Sequence, residues 1–569
     1  MIALVTAVQV GIRGWAAAGG WFYWDDFWWH DIVARTPLPD AAVLSLGGHF
    51  SPLTYVPYWL LTASAPYDWG ARVVVMLLLL LAVNAGVLAV AGRLWRSAAP
   101  QVVVYVLWCF STLAAPSWLW YSQFAMIGTL LLLGTWTLWA YLRALQSQDR
   151  GPSVLAVVML VTGLLAQERM VASAIVMALF LWLVVRPGFP TFRFERRPML
   201  WAASSVVLAG YVLLYSWVVP EGLGGAAPGL GVSGRLATDM VRTSALPALL
   251  GGPWVLDDEP VLGRAGTPGW LQFLAAAVLV ALVVWSMQLN RAAWRAWLVL
   301  ALAVALDTGL VVLGRGATLG QASVGEWRYY SDLAVLAPLL ITSAFVPPGK
   351  APRHGGLTRT AAKVAVAVFV VSAMVTTIPL GVRWHQSLAR PPFETAVAQF
   401  RSDPSAVIMD RVLPETMVNP VLGQQRLASR VFSIWRPRVV FDQPTSSPRW
   451  LDDSGRLVPG DVVPSRTALP AWPCAFAIDG TTSTSVPLPG RWDYDWGVRI
   501  DYTVDRPTKL AVQGGNETAV VDVGVGPGRI YVPIPAVTSG VTVFALDPDV
   551  RGCITEVVSG RAGPAATAR

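Results

Sequence analysis

The sequence predicts a polytopic α-helical membrane protein of about eleven transmembrane helices, ending in an extracytoplasmic β-sandwich. Three observations predict this. Of 569 residues, 55% are hydrophobic and only 13% charged, where an ordinary soluble domain carries about 25%. Apolar runs of roughly 20 residues, the length that crosses a bilayer as a helix, recur up to about residue 384. Beyond that point the long runs stop and Pro, Asp, Thr and Ser rise. The mean hydropathy of +0.53 and the 28 Trp agree, because Trp gathers where hydrocarbon meets water.

The expected spans lie near 2–20, 69–92, 101–115, 124–143, 152–166, 170–186, 199–219, 267–289, 296–314, 331–347 and 362–382. The span 101–115 and the pair flanking Gln167 are short. The first segment reads as a retained helix rather than a cleaved signal peptide, since it lacks a basic start and carries Arg13. Its marginal length and several Gly leave the natural start open. The stretch 50–64, FSPLTYVPYWLLTAS, is apolar but short and holds two prolines. It reads as an interfacial or re-entrant helix.

Basic residues set the orientation, because short cytoplasmic loops are rich in Lys and Arg. With the N-terminus in the cytoplasm, the inner loops hold Arg93 and Arg96, then Arg143 and Arg150, then Arg186, Arg193, Arg196 and Arg197. Arg291 and Arg295 follow, and then Lys350, Arg353, Arg359 and Lys363. The outer face then receives loops 21–68, 116–123, 220–266 and 315–330 and everything after about 384. The net charge of +8 comes from Arg residues between apolar runs. No cluster suited to neutralising phosphates points to nucleic acid. The dominance of Arg over Lys, which occurs only at 350, 363 and 509, suggests a GC-rich genome of the actinobacterial kind.

The expected domains are a membrane domain over 1–384, a mixed or irregular extracytoplasmic connector over 385–473, and a β-sandwich over 474–569. In the last, VRIDYTV, TKLAVQG, RIYVPIP, VTVFALD and CITEVVS alternate or are rich in β-branched residues, with Gly-rich breaks between them. Cys474 and Cys553 bracket this part on the outer, oxidising face, where a disulfide between them is expected. Cys109 sits in a span as a small packing residue. No Cys-His cluster suggests zinc.

The first outer loop is the richest in chemistry. WFYWDDFWWHD, residues 21–31, sets Asp25 and Asp26 among seven rings, followed by His30 and Asp31, and GGHFSP adds His49. An interfacial aromatic belt explains the rings but not the acids. A carboxylate wedged among rings at a membrane boundary is partly desolvated, which raises its pKa and suits it to proton transfer. Adjacent helical residues face different ways. One Asp is therefore expected to do chemistry and the other to orient it or bind a cation, with Asp26 favoured as the base.

Four features together resemble the GT-C superfamily of integral membrane glycosyltransferases. They are an N-terminal helix leading into a large outer loop with an Asp-Asp pair, then GHFSP, WLWYSQ and WRYYSD. The likeness is greatest to actinobacterial arabinofuranosyl- and mannosyltransferases of envelope synthesis, and it covers residues 1 to about 384. The resemblance implies a polyprenyl-phosphate sugar as donor, an envelope glycan, lipid or protein as acceptor, and a first-loop Asp as general base. It also implies cell-membrane localisation with the chemistry on the outer face. Some members need a divalent cation, Mg or Mn, and others need none, so it leaves the metal unknown.

A hydroxyl nucleophile gains from a positioned base, and a departing phosphate needs fixed positive charge. The outer-face candidates for that charge are Arg328, with Tyr329 beside it in EWRYYSD, and Arg169, His49, Arg242 and Arg315. An interfacial Arg–Tyr anchor is the plainer reading of Arg328. A structural pair with Glu168 is the plainer reading of Arg169, although ionisable residues this close to a membrane core point to function by default. Asp257, Asp258 and Glu259 form an acidic run that is either a solvated loop end or a metal ligand set. Arg13 and Asp307 lie within spans and receive no role. In RWDYDWG, residues 491–497, Trp492, Asp493 and Trp496 are candidates for holding a glycan, against an ordinary core Trp beside a turn.

The alternatives are a non-catalytic envelope-polysaccharide transporter or assembly scaffold, and a ligase or polymerase of lipid-linked glycans. A transporter should place polar residues and broken helices at mid-membrane, often in repeats. No internal repeat is visible, and most acids of the membrane half fall in outer loops.

Overall fold

A computed structural model describes the chain except residues 190, 191, 193, 196, 221–228, 258–262, 351–355, 419, 436, 437, 469–473, 475, 489–495, 516, 535–539 and 566–569. The side chains of 356–359, 421, 465, 466, 468 and 496 are also excepted. The described residues form two compact units. One comprises Met1–Phe22 and Thr36–Ser387, the other Tyr23–Arg35 and Leu388–Arg569.

The first unit is helical. Seven of its helices are long and apolar enough to cross a membrane: Trp69–Leu94, Tyr121–Gln146, Met170–Gly188, Pro198–Val218, Gly269–Leu289, Ala293–Ser323 and Thr360–Trp384. Four shorter apolar helices accompany them: Ile2–Ala18, Ala98–Phe110, Gly151–Ala166 and Leu333–Phe345. Each of the eleven expected spans falls on one of these helices, and seven of them have full crossing length. A helix of 13 residues such as Ala98–Phe110 rises only about 20 Å, short of the roughly 30 Å hydrocarbon core. It ends where Ser111–Ala115 and Pro116 turn the chain. The protein is thus a multi-pass membrane protein. The 50–64 stretch forms the helix Pro52–Ser64, with Pro57 inside it.

Without water in a bilayer core, buried polar groups must find protein partners. Asn84 donates to Gln9 at 2.7 Å and accepts from the Trp108 indole at 2.6 Å. Arg13, buried in the first helix, donates to the Ser111 carbonyl at 2.7 Å, which is where the broken span exposes a backbone oxygen.

The second unit is β-rich. Its strands are β1 (Val407–Ile408), β2 (Val440–Phe441), β3 (Arg449–Leu451), β4 (Leu457–Ala468), β5 (Phe476–Asp479), β6 (Thr484–Pro487), β7 (Trp496–Val504), β8 (Thr508–Gly514), β9 (Glu517–Val523), β10 (Gly526–Ile534), β11 (Gly540–Ala545) and β12 (Arg551–Pro564). One sheet runs β10-β7-β12-β4-β3-β1-β2, with β5 also on β12, and the other runs β6-β11-β8-β9. A shared core takes Ile500 and Val557 from the first sheet and Val512 and Val543 from the second. The five strand-like stretches read from the sequence fall on β7, β8, β10, β11 and β12.

Two boundaries differ from the expected ones. The larger sheet recruits β1–β4 from upstream of residue 474, because β4 pairs along β12 from Ala468 to Gly460. The helix Asp25–Arg35 belongs with this unit rather than with the membrane helices that flank it in sequence. Cys474 and Cys553 form a disulfide with a Cα–Cα distance of 5.8 Å.

Candidate functional site

The GGHFSP segment is shaped by its glycines. Leu46 and His49 exchange both backbone hydrogen bonds across a two-residue turn, with Gly47 at φ 58° and Gly48 at φ 82°. Two successive positive φ values are what such tight turns require, and Gly adopts them without a Cβ clash. Three tyrosine hydroxyls then hold three successive carbonyls. Tyr215 donates to Gly48 at 2.5 Å, Tyr55 to His49 at 3.0 Å and Tyr211 to Phe50 at 3.3 Å.

The clamped His49 bridges two charges. Its Nδ1 lies 2.6 Å from Glu168 Oε1, and its Nε2 lies 2.9 Å from Arg315 Nη2. A guanidinium only donates, so Nε2 must accept, and the ring proton sits on Nδ1 facing the carboxylate. Ser51 also donates to Glu168, at 3.3 Å. Burial pushes the Glu168 carboxyl up, but His49 and Arg169 beside it and hydrogen bonds from His49 and a backbone amide hold it below the usual carboxylate range.

Arg169 turns away from its neighbour in the tight Gln167–Arg169 turn. Its Nη2 reaches Asp307 at 3.2 Å, Asp332 at 3.3 Å and the Tyr329 carbonyl at 2.6 Å. The expected structural partner was Glu168, and the observed partners are these two aspartates, both buried. Asp307, left without a role by the sequence, lies in the long helix Ala293–Ser323 and is covered by this cation. With two carboxylates and a carbonyl on it, Arg169 fastens the turn to the 326–332 segment.

Arg328 meets a different set of groups. Its Nε lies 2.9 Å from Glu326, which also pairs with Arg264 at 3.1 Å. The Arg328 guanidinium stacks on the Trp120 ring at 4.7 Å and on Tyr329 at 5.6 Å, and Arg315 reaches the same Tyr329 ring at 5.9 Å. Tyr329 is only 9% exposed, and its hydroxyl has no hydrogen-bond partner among the described residues. A buried phenol without a partner is costly, and the ring that bears it lies against both guanidiniums.

In the second unit, the helix Asp25–Arg35 carries Asp25 and Asp26 in its first turn, where the helix dipole favours negative charge. Trp24, just ahead, takes φ 45°, a costly conformation for a bulky residue. Asp26 is fully buried, and its Oδ2 accepts from the Tyr23 amide at 2.9 Å, as the acidic half of a capping box does. Asp25 is half-buried. His30 Nδ1 lies 2.7 Å from the Asp26 carbonyl. That oxygen only accepts, so Nδ1 carries a proton. Asp31, 4% exposed, is held by Arg35 at 2.5 Å and Arg430 at 3.1 Å.

The structure therefore brings His49, Glu168, Arg315, Tyr329 and Arg328 into one connected set. Arg242 stands apart on an exposed pair with Asp239 at 3.2 Å. Trp492 and Asp493 lie outside the described residues, as does the Trp496 side chain, and so do Asp258 and Glu259. Asp257 accepts from the Arg264 amide at 2.6 Å. Among the described residues there is no group of three or more His, Cys, Asp or Glu suited to a metal ion. Sequence reasoning missed Arg264 and Arg430. The available signal for Arg264 was a basic residue in an outer loop, where the charge rule disfavours one.

Fold and site together define a multi-pass membrane protein with an arginine-rich polar centre among its helices and a β-rich C-terminal unit. No protein-family model matches the chain, and no curated protein does. Among solved structures it is similar to arabinosyltransferase EmbB from Mycobacterium smegmatis, at 14% identity and TM-score 0.39, over 99% of this chain and 64% of that one. The chain thus spans less than two thirds of that protein's length. It is also similar to ArnT from Cupriavidus metallidurans in the apo state, at 15% identity and TM-score 0.41. The undecaprenyl phosphate-bound form of ArnT matches at 14% and 0.41, and both forms match over 79% of this chain and 93% of that one. These superpositions are loose, and the functional reading rests on the chain's own residues.

Proposed function

We propose that the protein is a membrane glycosyltransferase that moves a sugar from a polyprenyl-phosphate donor to a cell-envelope acceptor on the outer face. The observation that carries this reading is Tyr329, whose buried hydroxyl has no partner among the described residues and whose ring lies against the guanidiniums of Arg315 and Arg328. A lipid phosphate supplies both what the hydroxyl lacks and the negative charge the cations favour. The apolar helices around this centre suit a polyprenyl tail. In this reading all eleven apolar helices enter the membrane, the N-terminus is cytoplasmic and the C-terminal unit is extracytoplasmic.

In the reaction, an acceptor hydroxyl attacks the anomeric carbon while a carboxylate removes its proton. The bond from that carbon to the phosphate oxygen breaks, and the oxygen keeps the electron pair. We assign the base to Asp25 and a positioning role to Asp26. Asp26 is fully buried and has one oxygen committed to the Tyr23 amide, whereas Asp25 is half-buried. Arg328 and Arg315 stabilise the phosphate as its charge develops, Tyr329 donates to it, and Arg264 and Glu326 orient Arg328. Glu168 fixes the tautomer of His49, which holds Arg315. Arg169 is structural.

The test is binding of a polyprenyl phosphate to the purified protein in lipid nanodiscs, before any sugar is identified. Wild type should bind it, and Arg328→Ala should bind at least tenfold more weakly. No binding by wild type would instead favour a transporter or scaffold.

A further inference from the structure

The helix bearing the acid pair is fixed in place by the C-terminal domain. Arg430 Nη1 meets Asp31 Oδ2 at 3.1 Å, between residues 399 apart in sequence. The Asp31 side chain is 5% exposed, and Arg35 holds its other oxygen. The apolar side of the joint is aromatic. Phe27 packs on Phe393 at 6.0 Å, and Phe393 stacks on Phe432 at 4.9 Å and meets Trp435 at 5.6 Å.

Arg430 is itself anchored. It sits on the helical turn Ala428–Val431. Asp410 Oδ1 accepts from the Ser429 amide at 2.9 Å, and the Ala428 amide donates to the Arg411 carbonyl at 2.8 Å. Asp410 and Arg411 follow β1 of the larger sheet after a single residue, Met409. A rigid path therefore runs from sheet to turn, from turn to Arg430 and from Arg430 to Asp31. Asp31 lies six residues after Asp25, about 9 Å along the helix, so any tilt at Asp31 moves the acid pair.

We propose that Arg430 is a positioning residue for the acid pair: through Asp31 it fixes the helix Asp25–Arg35 on the C-terminal domain and so sets where the Asp25 and Asp26 carboxylates lie. This rests on the reading of that pair as base and orienting partner. The C-terminal domain is then part of the catalytic apparatus, beyond any glycan binding of its own. A misplacement on the order of 1 Å at a reacting group costs roughly a hundredfold in rate, so the joint need not break to matter.

The test uses the full chain in lipid nanodiscs, with Arg430→Ala, Arg430→Lys and Asp31→Asn. Amide hydrogen exchange over residues 23–35 needs no substrate. Arg430→Ala and Asp31→Asn should each exchange there at least tenfold faster than wild type. Arg430→Lys should stay near wild type, and exchange in β12 should be unchanged in all three. Wild-type exchange over 23–35 in both Arg430→Ala and Asp31→Asn overturns the proposal. If Arg430→Ala also loosens β12, Asp31→Asn, on the other side of the joint, decides. In a transfer assay Arg430→Ala should lower kcat about tenfold to a hundredfold with KM for the donor unchanged, and Arg430→Lys should restore it. Full turnover in Arg430→Ala with none in Asp25→Asn overturns this inference and leaves the acid-pair reading standing. Full turnover in Asp25→Asn and Asp26→Asn overturns that reading whatever the exchange shows.

Discussion

The His49 imidazole is held by the Glu168 carboxylate, Nδ1 to Oε1 at 2.6 Å, across 119 residues of sequence. The bond fixes which ring nitrogen carries the proton, and thereby turns the Nε2 lone pair to Arg315 at 2.9 Å. A glycine turn at Gly47–Gly48 and a tight turn between two helices thus cooperate to aim one guanidinium.

The tautomer is directly measurable. Nitrogen NMR of the histidine-labelled protein should report His49 protonated at Nδ1. Glu168→Gln should release that preference and lower stability by about 1.5–3 kcal/mol, the range for a charge-assisted hydrogen bond. Protonation at Nε2 in the wild type contradicts the arrangement.

The Glu168 carboxyl also gives a pH signature. Its folded pKa lies below the roughly 4.3 of a free Glu. Its stabilising contribution is therefore fully present above about pH 4.3 and is lost as pH falls through the lowered value. Thermal midpoints of wild type and Glu168→Gln should run parallel from pH 5 to 8 and converge below that window. A gap that widens on acidification contradicts the sign.

Tyr329→Phe separates stability from binding. It keeps the ring on which Arg315 and Arg328 stack and removes a buried hydroxyl that has no partner among the described residues. Thermal stability should stay level or rise. Affinity for a polyprenyl phosphate should fall about fivefold to tenfold, the equivalent of one hydrogen bond of ~1–1.5 kcal/mol. A loss of stability with unchanged affinity would mean that the hydroxyl serves the fold.

The Cys474–Cys553 disulfide closes a loop of 79 residues. Chain-entropy arguments set its contribution at up to about 4.5 kcal/mol. Cys553→Ser should lower the thermal midpoint of the β-rich unit, read by limited proteolysis with temperature, and reductant should do the same to wild type. Reductant should leave the serine variant unmoved. Equal midpoints in all three would show that the bond contributes nothing.

Much of the fold was legible in the sequence, for physical reasons. Hydrocarbon demands long apolar runs, so every expected span falls on an apolar helix. The four short ones show where turn residues such as Pro116 overrule hydropathy. Alternation marked β7, β8 and β10–β12, whereas β4, with Pro459, Gly460 and Pro464, hides its strand character behind breakers.

The candidate site was half legible. Asp25, Asp26, Arg328 and His49 stood out because charges among rings at a membrane edge need a reason. Their partners did not, because long-range pairs such as Asp31 with Arg430 or Arg169 with Asp307 leave no local pattern. The preference between the two acids also changed. Sequence alone favoured Asp26, and because one Asp26 oxygen accepts from the Tyr23 amide, the proposed base is Asp25.

The central claim is tested most directly by sugar transfer in nanodiscs from polyprenyl-phosphate arabinofuranose and polyprenyl-phosphate mannose to an envelope glycan, comparing wild type with Asp25→Asn. Wild type should transfer one of the two sugars, and Asp25→Asn should be slowed by at least a hundredfold, within the range of general-base contributions, while binding the donor as wild type does. Full transfer by Asp25→Asn, or no turnover of either donor by wild type that binds both, would contradict it.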